Sequence, residues 1–210
     1  MVKSELIKRS PLRIFEKSIH GGLGKGNLGV LASRKGVGKT ACLVHIATDQ
    51  LFQDKHVIHV SFSAKVDHII SWYEDIFKEI AKKRELEGAV EVHDEIIKNR
   101  VIMNFNQDSI DTDQILKSIN AMISDGHFAA DTVIFDGYDF AQVEKGDIEK
   151  IRQFADECGL EIWFSVSLGE EEPLFDSAGV PTQVNPFLDE IAVLITLRFL
   201  DDHVHFQAVK

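Results

Sequence analysis

The sequence predicts an α/β fold: a mostly parallel sheet covered by helices on both faces, with a C-terminal antiparallel hairpin. Three observations predict it. A short apolar run, Leu28 to Ala32, passes through the loop Ser33-Arg-Lys-Gly-Val-Gly-Lys-Thr40 into the helically spaced Ala41 to Ala47. From there to Ser167, β-rich runs alternate with amphipathic stretches, the pattern of parallel strands joined by crossover helices. Two last β-rich runs, Ile191 to Phe199 and His203 to Val209, meet at a tight turn, Asp201-Asp202, and add antiparallel strands at an edge.

The elements come in order along the chain. Residues 1–10 read as a polar lead-in and 11–210 as one domain, long enough for a single full core. The glycine-dense Ser18 to Gly26 is loop. Leu28 to Ala32 is the first strand, and the helix after the glycine loop runs from Lys39 to about Phe52. Val57 to Phe62, rich in β-branched and aromatic residues, is the second strand. Val66, Ile69, Ile70, Tyr73, Ile76, Phe77 and Ile80 then recur at helical steps. That helix ends near Leu86 to Gly88, after Lys82-Lys-Arg84, whose charges suit a helix C-terminus. A short helix over Val90 to Lys98 and a third strand over Val101 to Phe105 come next.

Asp111-Thr-Asp-Gln114 reads as a capping box, with Asp in place of the usual Ser or Thr. It opens a helix with Ile115, Leu116, Ile119, Met122 and Ile123 as its buried stripe. Thr132 to Asp136 is a fourth, apolar strand that ends in a carboxylate. Asp147 is placed to cap the next helix and Gly159 to end it. Glu161 to Ser167 is the fifth strand, and Gly169 to Pro186 is a long loop.

Chemistry concentrates in the glycine loop. Strand, glycine loop and helix form the context of a phosphate-binding loop. Glycines let backbone N–H groups crowd around phosphate oxygens, and the helix N-terminus adds donors and partial positive charge. Ser33, Arg34, Lys35, Gly36, Val37, Gly38, Lys39, Thr40 and Ala41 are the candidate binding residues. In that motif Lys39 reaches the outer phosphates and Thr40 ligates Mg²⁺. The pattern asks for glycine where Ser33 stands. Asp136 is the expected companion, carried to the C-terminal edge of the sheet to hold Mg²⁺ through a water opposite Thr40.

Composition narrows the partners. The net charge is -11, with 34 acidic against 23 basic residues, which disfavours a general nucleic-acid binder. No apolar run approaches the ~18 residues of a membrane span. The start of the chain has charge but no signal-peptide core, so a cytoplasmic protein is expected. Cys42 and Cys158, the two cysteines, read as small buried hydrophobes. His203 and His205 share a strand face without a third ligand at a convincing spacing, which reads as surface. Trp72, Tyr73 and Trp163 read as core aromatics, and Ser165 or Ser167 could read a terminal phosphate.

On these motifs the chain resembles the RecA/KaiC-like ATPases, KaiC-like proteins most closely. Ile19 to Gly26 looks like the family's glycine lead-in, Ser33 to Thr40 like its phosphate loop and Val133-Ile-Phe-Asp136 like its Walker B strand. Ile162 to Ser167 looks like the strand between phosphate-loop and Walker B strands. The resemblance implies a three-layer RecA-like fold, ATP or ADP with Mg²⁺ as ligand, and a homo-oligomer or protein partner. It also implies a catalytic glutamate after the second strand, where this chain has Ser63 and Ala64. Neither can serve as a base, so hydrolysis is expected to be slow or absent, and the protein to be a nucleotide-dependent switch or assembly module.

Three alternatives stand beside that reading. Asp67 or Asp139, or a partner's residue, could act as the base of a true ATPase; helix capping and turn formation are the ordinary roles of these aspartates. Arg34 and Lys35 stand where ParA/MinD-like ATPases carry a lysine that reaches across a dimer. A structural relative that has lost nucleotide binding is the third. No Asn-Lys-x-Asp guanine motif is present.

Overall fold

The computed structural model describes residues 10, 12–19, 21–63, 66–83, 89–105, 111–169, 173–200 and 202–210. The polar lead-in over 1–9, Ala64, the helix end at 84–88 and Asp201 of the hairpin turn lie outside them. Six helices are described: α1 (Leu12–Ser18), α2 (Lys39–Phe52), α3 (Asp67–Lys83), α4 (Ala89–Lys98), α5 (Thr112–Ser124) and α6 (Lys145–Cys158). The strands are β1 (Leu28–Ser33), β2 (Val57–Ser61), β3 (Arg100–Asn104), β4 (Thr132–Asp136), β5 (Glu161–Ser167), β6 (Ile191–Leu200) and β7 (His203–Ala208).

They form one seven-stranded sheet in the order β3-β2-β4-β5-β1-β6-β7. Every pairing is parallel except β6 with β7, the antiparallel hairpin. Side chains alternate across the sheet, so each strand feeds two cores. Val30, Ile58, Val133, Phe135 and Phe164 pack with Ile115 and Ile119 of α5 and Ile148 and Ile151 of α6. Leu31, Val57, Ile134, Trp163 and Ile195 pack on the other face with Leu43 and Val44 of α2, Ile69 and Tyr73 of α3, and Ile96 of α4. The sheet is therefore a middle layer between two helical layers.

Several local devices explain the boundaries. Asp111 caps α5, its carboxylate accepting from the Asp113 and Gln114 backbone N–H groups. Gly159 ends α6 in the left-handed region at φ 64°. Gly29 sits in β1 because Trp163 lies across it: a Cβ there would stand 2.5 Å from the Trp163 Cε3.

Some expectations need correction. Asp147 is the third residue of the first turn of α6 rather than its cap. Glu144 is the cap, and the two side chains form a reciprocal capping box. Trp72 is 42% exposed and Ile70 41%, so the core stripe of α3 is narrower than the spacing implies. The loop after β5 contains a bridge between Phe175 and Pro181 and a 3-10 helix, Asn185–Glu190. Helix α1 is not expected from the sequence; Phe15 docks it on Trp163 at 5.9 Å, and Arg13 pairs with Asp49.

Candidate functional site

The alternation that builds the two cores also builds the site. Asp136 continues the face of Ile134, Ser165 that of Trp163, and Ser61 and His59 that of Val57. These polar side chains therefore meet on the α2 side of the sheet, at or near the C-terminal ends of β2, β4 and β5. The register sets Ser61 and Ser165 directly beside Asp136. Ser61 and His59 are fully buried, and Ser165 and Asp136 nearly so.

The glycine loop joins the end of β1 to the start of α2. Gly36 and Gly38 have φ of 84° and 110°, and a Cβ at either would meet nothing within 4 Å. Left-handed backbone with open space in front is a cradle that glycine makes accessible. Ser33, by contrast, lies in β1 without a left-handed φ, so serine is accommodated where the motif asks for glycine. Lys39 folds back over the loop. Its ammonium donates to the Ser33 carbonyl at 3.1 Å, the Ser33 hydroxyl at 3.2 Å and the Arg34 carbonyl at 3.1 Å. Burial lowers its pKa, and the charge of Asp136 works the other way.

Thr40, the second residue of α2, donates its hydroxyl to Asp136 Oδ1 at 3.2 Å. The same oxygen accepts from Ser165 Oγ at 2.6 Å, and Ser165 Oγ accepts from the Gly137 N–H at 2.8 Å. His59 Nε2 lies 3.9 Å from the other oxygen, Asp136 Oδ2, too far for a hydrogen bond. Burial works to raise the Asp136 pKa. The nearby His59 and the hydroxyls of Ser165 and Thr40 outweigh it and hold the carboxyl below its ordinary value. Asp136 is thus kept as a carboxylate, the form that supports a cation.

The remaining candidates lie at the rim. Lys35 is exposed and, with Gly137, Asp139 and Ser167, lines a cavity of about 420 Å³ beside the end of β4. Asp139 spends its carboxylate on a turn: Oδ1 accepts from the Ala141 N–H and Oδ2 from the Gln142 amide, both at 2.9 Å. Asp67 is the exposed first residue of α3 and is not among the residues lining that cavity. Arg34 is exposed, and Val37 packs against the α2-side core. Ala41 comes directly after Thr40 in the first turn of α2. Ser63 is exposed beyond the end of β2, its N–H donating to Ser61 Oγ at 3.2 Å.

Sequence reasoning missed His59 and Tyr73 as neighbours of Asp136 and offered Ser165 as a phosphate sensor, whereas its hydroxyl is committed to Asp136. The usable signal for His59 was a polar residue inside a buried strand, two places before the strand end and on its inward face. No family model matches the chain, and no curated protein does.

The residues present suit a phosphate-bound divalent cation. A magnesium site needs few protein ligands, because phosphates and waters supply the rest. Thr40 and Asp136 provide a hydroxyl and a carboxylate side by side, next to a buried ammonium and an open backbone cradle.

Proposed function

We propose that the chain is a RecA/KaiC-like P-loop protein that binds ATP with Mg²⁺ at residues 33–41 and hydrolyses it slowly or not at all. It would serve as a nucleotide-dependent switch or assembly module. The observation that carries this reading is the Thr40–Asp136 hydrogen bond at 3.2 Å, which joins residues 96 apart in sequence beside the buried Lys39. The strand order supports it as well: β5 lies between the loop strand β1 and the carboxylate strand β4.

Each residue then has a task. Gly36 and Gly38 leave room for backbone donors to approach phosphate oxygens. Lys39 exchanges its contacts to Ser33 and Arg34 for phosphate oxygens, so the charge it carries is neutralised where it is now only solvated by carbonyls and a hydroxyl. Thr40 would offer the metal an oxygen lone pair while its O–H stays on Asp136, and Asp136 would hold the metal through a water. Bound Mg²⁺ would neutralise charge on the outer phosphates. Ser63 at the end of β2 offers no base, and Asp139 is engaged in its turn. A second reading, an active ATPase, rests on the place of Asp139 on the same cavity as Lys35 and Ser167.

The test is calorimetric titration of the full chain with ATP, ADP and GTP, with and without Mg²⁺. Wild type should bind ATP more tightly with Mg²⁺. Lys39→Ala should weaken binding about 10- to 100-fold, the loss of one charge-assisted contact of roughly 1.5–3 kcal/mol. Asp136→Asn should lose the Mg²⁺ gain more than the metal-free affinity. Equal affinity of wild type and Lys39→Ala would remove the phosphate-loop assignment.

A further inference from the structure

His59 is the most deeply buried ionisable side chain behind the loop, with no accessible surface, where the apolar α2-side core meets the polar cluster at Asp136. Such a side chain needs partners for both ring nitrogens. Nδ1 has one, the Tyr73 hydroxyl at 3.0 Å, and the two rings meet edge to face at 5.6 Å. Tyr73 is itself held, with the Arg100 guanidinium over its ring at 4.2 Å. Nε2 has no hydrogen-bond partner, and it lies 3.9 Å from Asp136 Oδ2. Thr40 and Ser165 both engage the other carboxylate oxygen.

We propose that His59 is a positioning residue for Asp136: Tyr73 fixes its ring, and its Nε2–H is presented to the carboxylate oxygen that Thr40 and Ser165 leave alone. A hydrogen on Nε2 meets the carboxylate favourably, whereas a lone pair there would face a negative oxygen across 3.9 Å. With the hydrogen on Nε2, the Tyr73 hydroxyl donates to Nδ1. A movement of about 1 Å closes the remaining gap to hydrogen-bond distance. Thr40 would give a metal an oxygen lone pair and keep its O–H on Oδ1, so Oδ2 stays the oxygen that His59 faces. Support of this kind behind a metal-holding carboxylate sets its orientation and its charge. The consequence for metal rests on the nucleotide-binding reading above; the Nε2–H tautomer does not.

Two measurements on the full chain test it. Nitrogen-15 NMR of the ligand-free protein should show hydrogen on His59 Nε2 with Nδ1 accepting; a ring with hydrogen on Nδ1 alone overturns the proposal. The second compares ATP affinity with and without Mg²⁺ by calorimetry. His59→Leu should cut the Mg²⁺-dependent gain about 10-fold while leaving metal-free binding near wild type. His59→Gln, which keeps a donor at similar reach, should restore part of the gain. Tyr73→Phe removes only the hydroxyl, so it decides the matter if His59→Leu fails to fold; it should lose a smaller part of the gain. A full Mg²⁺ gain in both His59→Leu and Tyr73→Phe overturns the proposal. Failure of wild type to bind nucleotide would overturn the functional reading instead, and the tautomer would still decide for or against His59 as the support of Asp136.

Discussion

Among the described residues, Lys39 holds its charge against two carbonyls and a hydroxyl, with no carboxylate in contact. An ammonium removed from water is costly unless paired, and burial lowers its pKa accordingly. On the proposed nucleotide-binding reading, phosphate oxygens would offset that cost. Lys39→Met should raise the ligand-free melting temperature, by about 2–4 °C for each kcal/mol of relief in a chain of this size. Nucleotide binding should fall at the same time, the trade expected where a site is kept unstable for function. The pH dependence has a definite sign. Folded Lys39 releases its proton at lower pH than the unfolded chain does, so wild-type stability rises with pH across that alkaline interval. The gap to Lys39→Met should narrow there, as monitored by melting curves from pH 7 to 10. Cys42, one turn later in α2, shows burial acting on a thiol: it pushes the pKa up to about 11. At pH 8 its thiolate fraction is on the order of one in a thousand, against about a quarter for an ordinary thiol of pKa ~8.5. Iodoacetamide at pH 8 should label Cys42 slowly in the folded chain and quickly after unfolding; fast labelling of the folded chain would contradict the burial.

Elements differ in how much of them could be read before folding. Local chemistry wrote α5 and α6 into the sequence, because a cap such as Asp111 and a stop such as Gly159 act within a few residues. The six-residue β1 was legible from its apolar run, yet the reason for Gly29 inside it was not. That reason is Trp163, 134 positions later in the sequence and directly beside it in the sheet. Helix α1 was illegible for the same kind of reason: it has seven residues, none of them buried, and its anchors are Trp163 and Asp49. Gly29→Ala tests the point. The added methyl would stand 2.5 Å from the Trp163 ring, with the strand fixed by pairing on both sides. Overpacking of this kind costs typically about 1–3 kcal/mol. Chemical denaturation should show that loss with an unchanged slope. A neutral Gly29→Ala would mean that Trp163 can move aside.

On the scale of the whole molecule, the sheet order decides which distant residues become neighbours. The glycine loop and Asp136 were both legible in the sequence, since each is written in one strand and the few residues at its C-terminal end. Their meeting depends on β5 lying between β1 and β4 and on α2 returning over β4, which spacing along the chain does not encode. The support behind Asp136 was illegible for the same reason, since His59 and Ser165 reach it from neighbouring strands. The same order bears on turnover. On the proposed reading, the positions after β2 where the resembled family carries its base begin with Ser63, which has no useful basicity near neutral pH. Asp139 has both oxygens engaged by its own turn, and Asp67 is exposed at the start of α3. Lys39, the loop donors and a metal would still stabilise charge, so some hydrolysis remains available. The expected rate for purified protein with Mg²⁺ and ATP is below about 0.01 s⁻¹, two decades or more under ordinary enzymes. A phosphate-release assay over a range of protein concentrations separates the outcomes. Slow release that scales linearly with protein supports the switch. Release that climbs faster than protein concentration points to a residue supplied by a second copy. Brisk, linear release abolished by both Lys39→Ala and Asp139→Ala would overturn the switch and make Asp139 the base, freed from Ala141 and Gln142 when nucleotide binds.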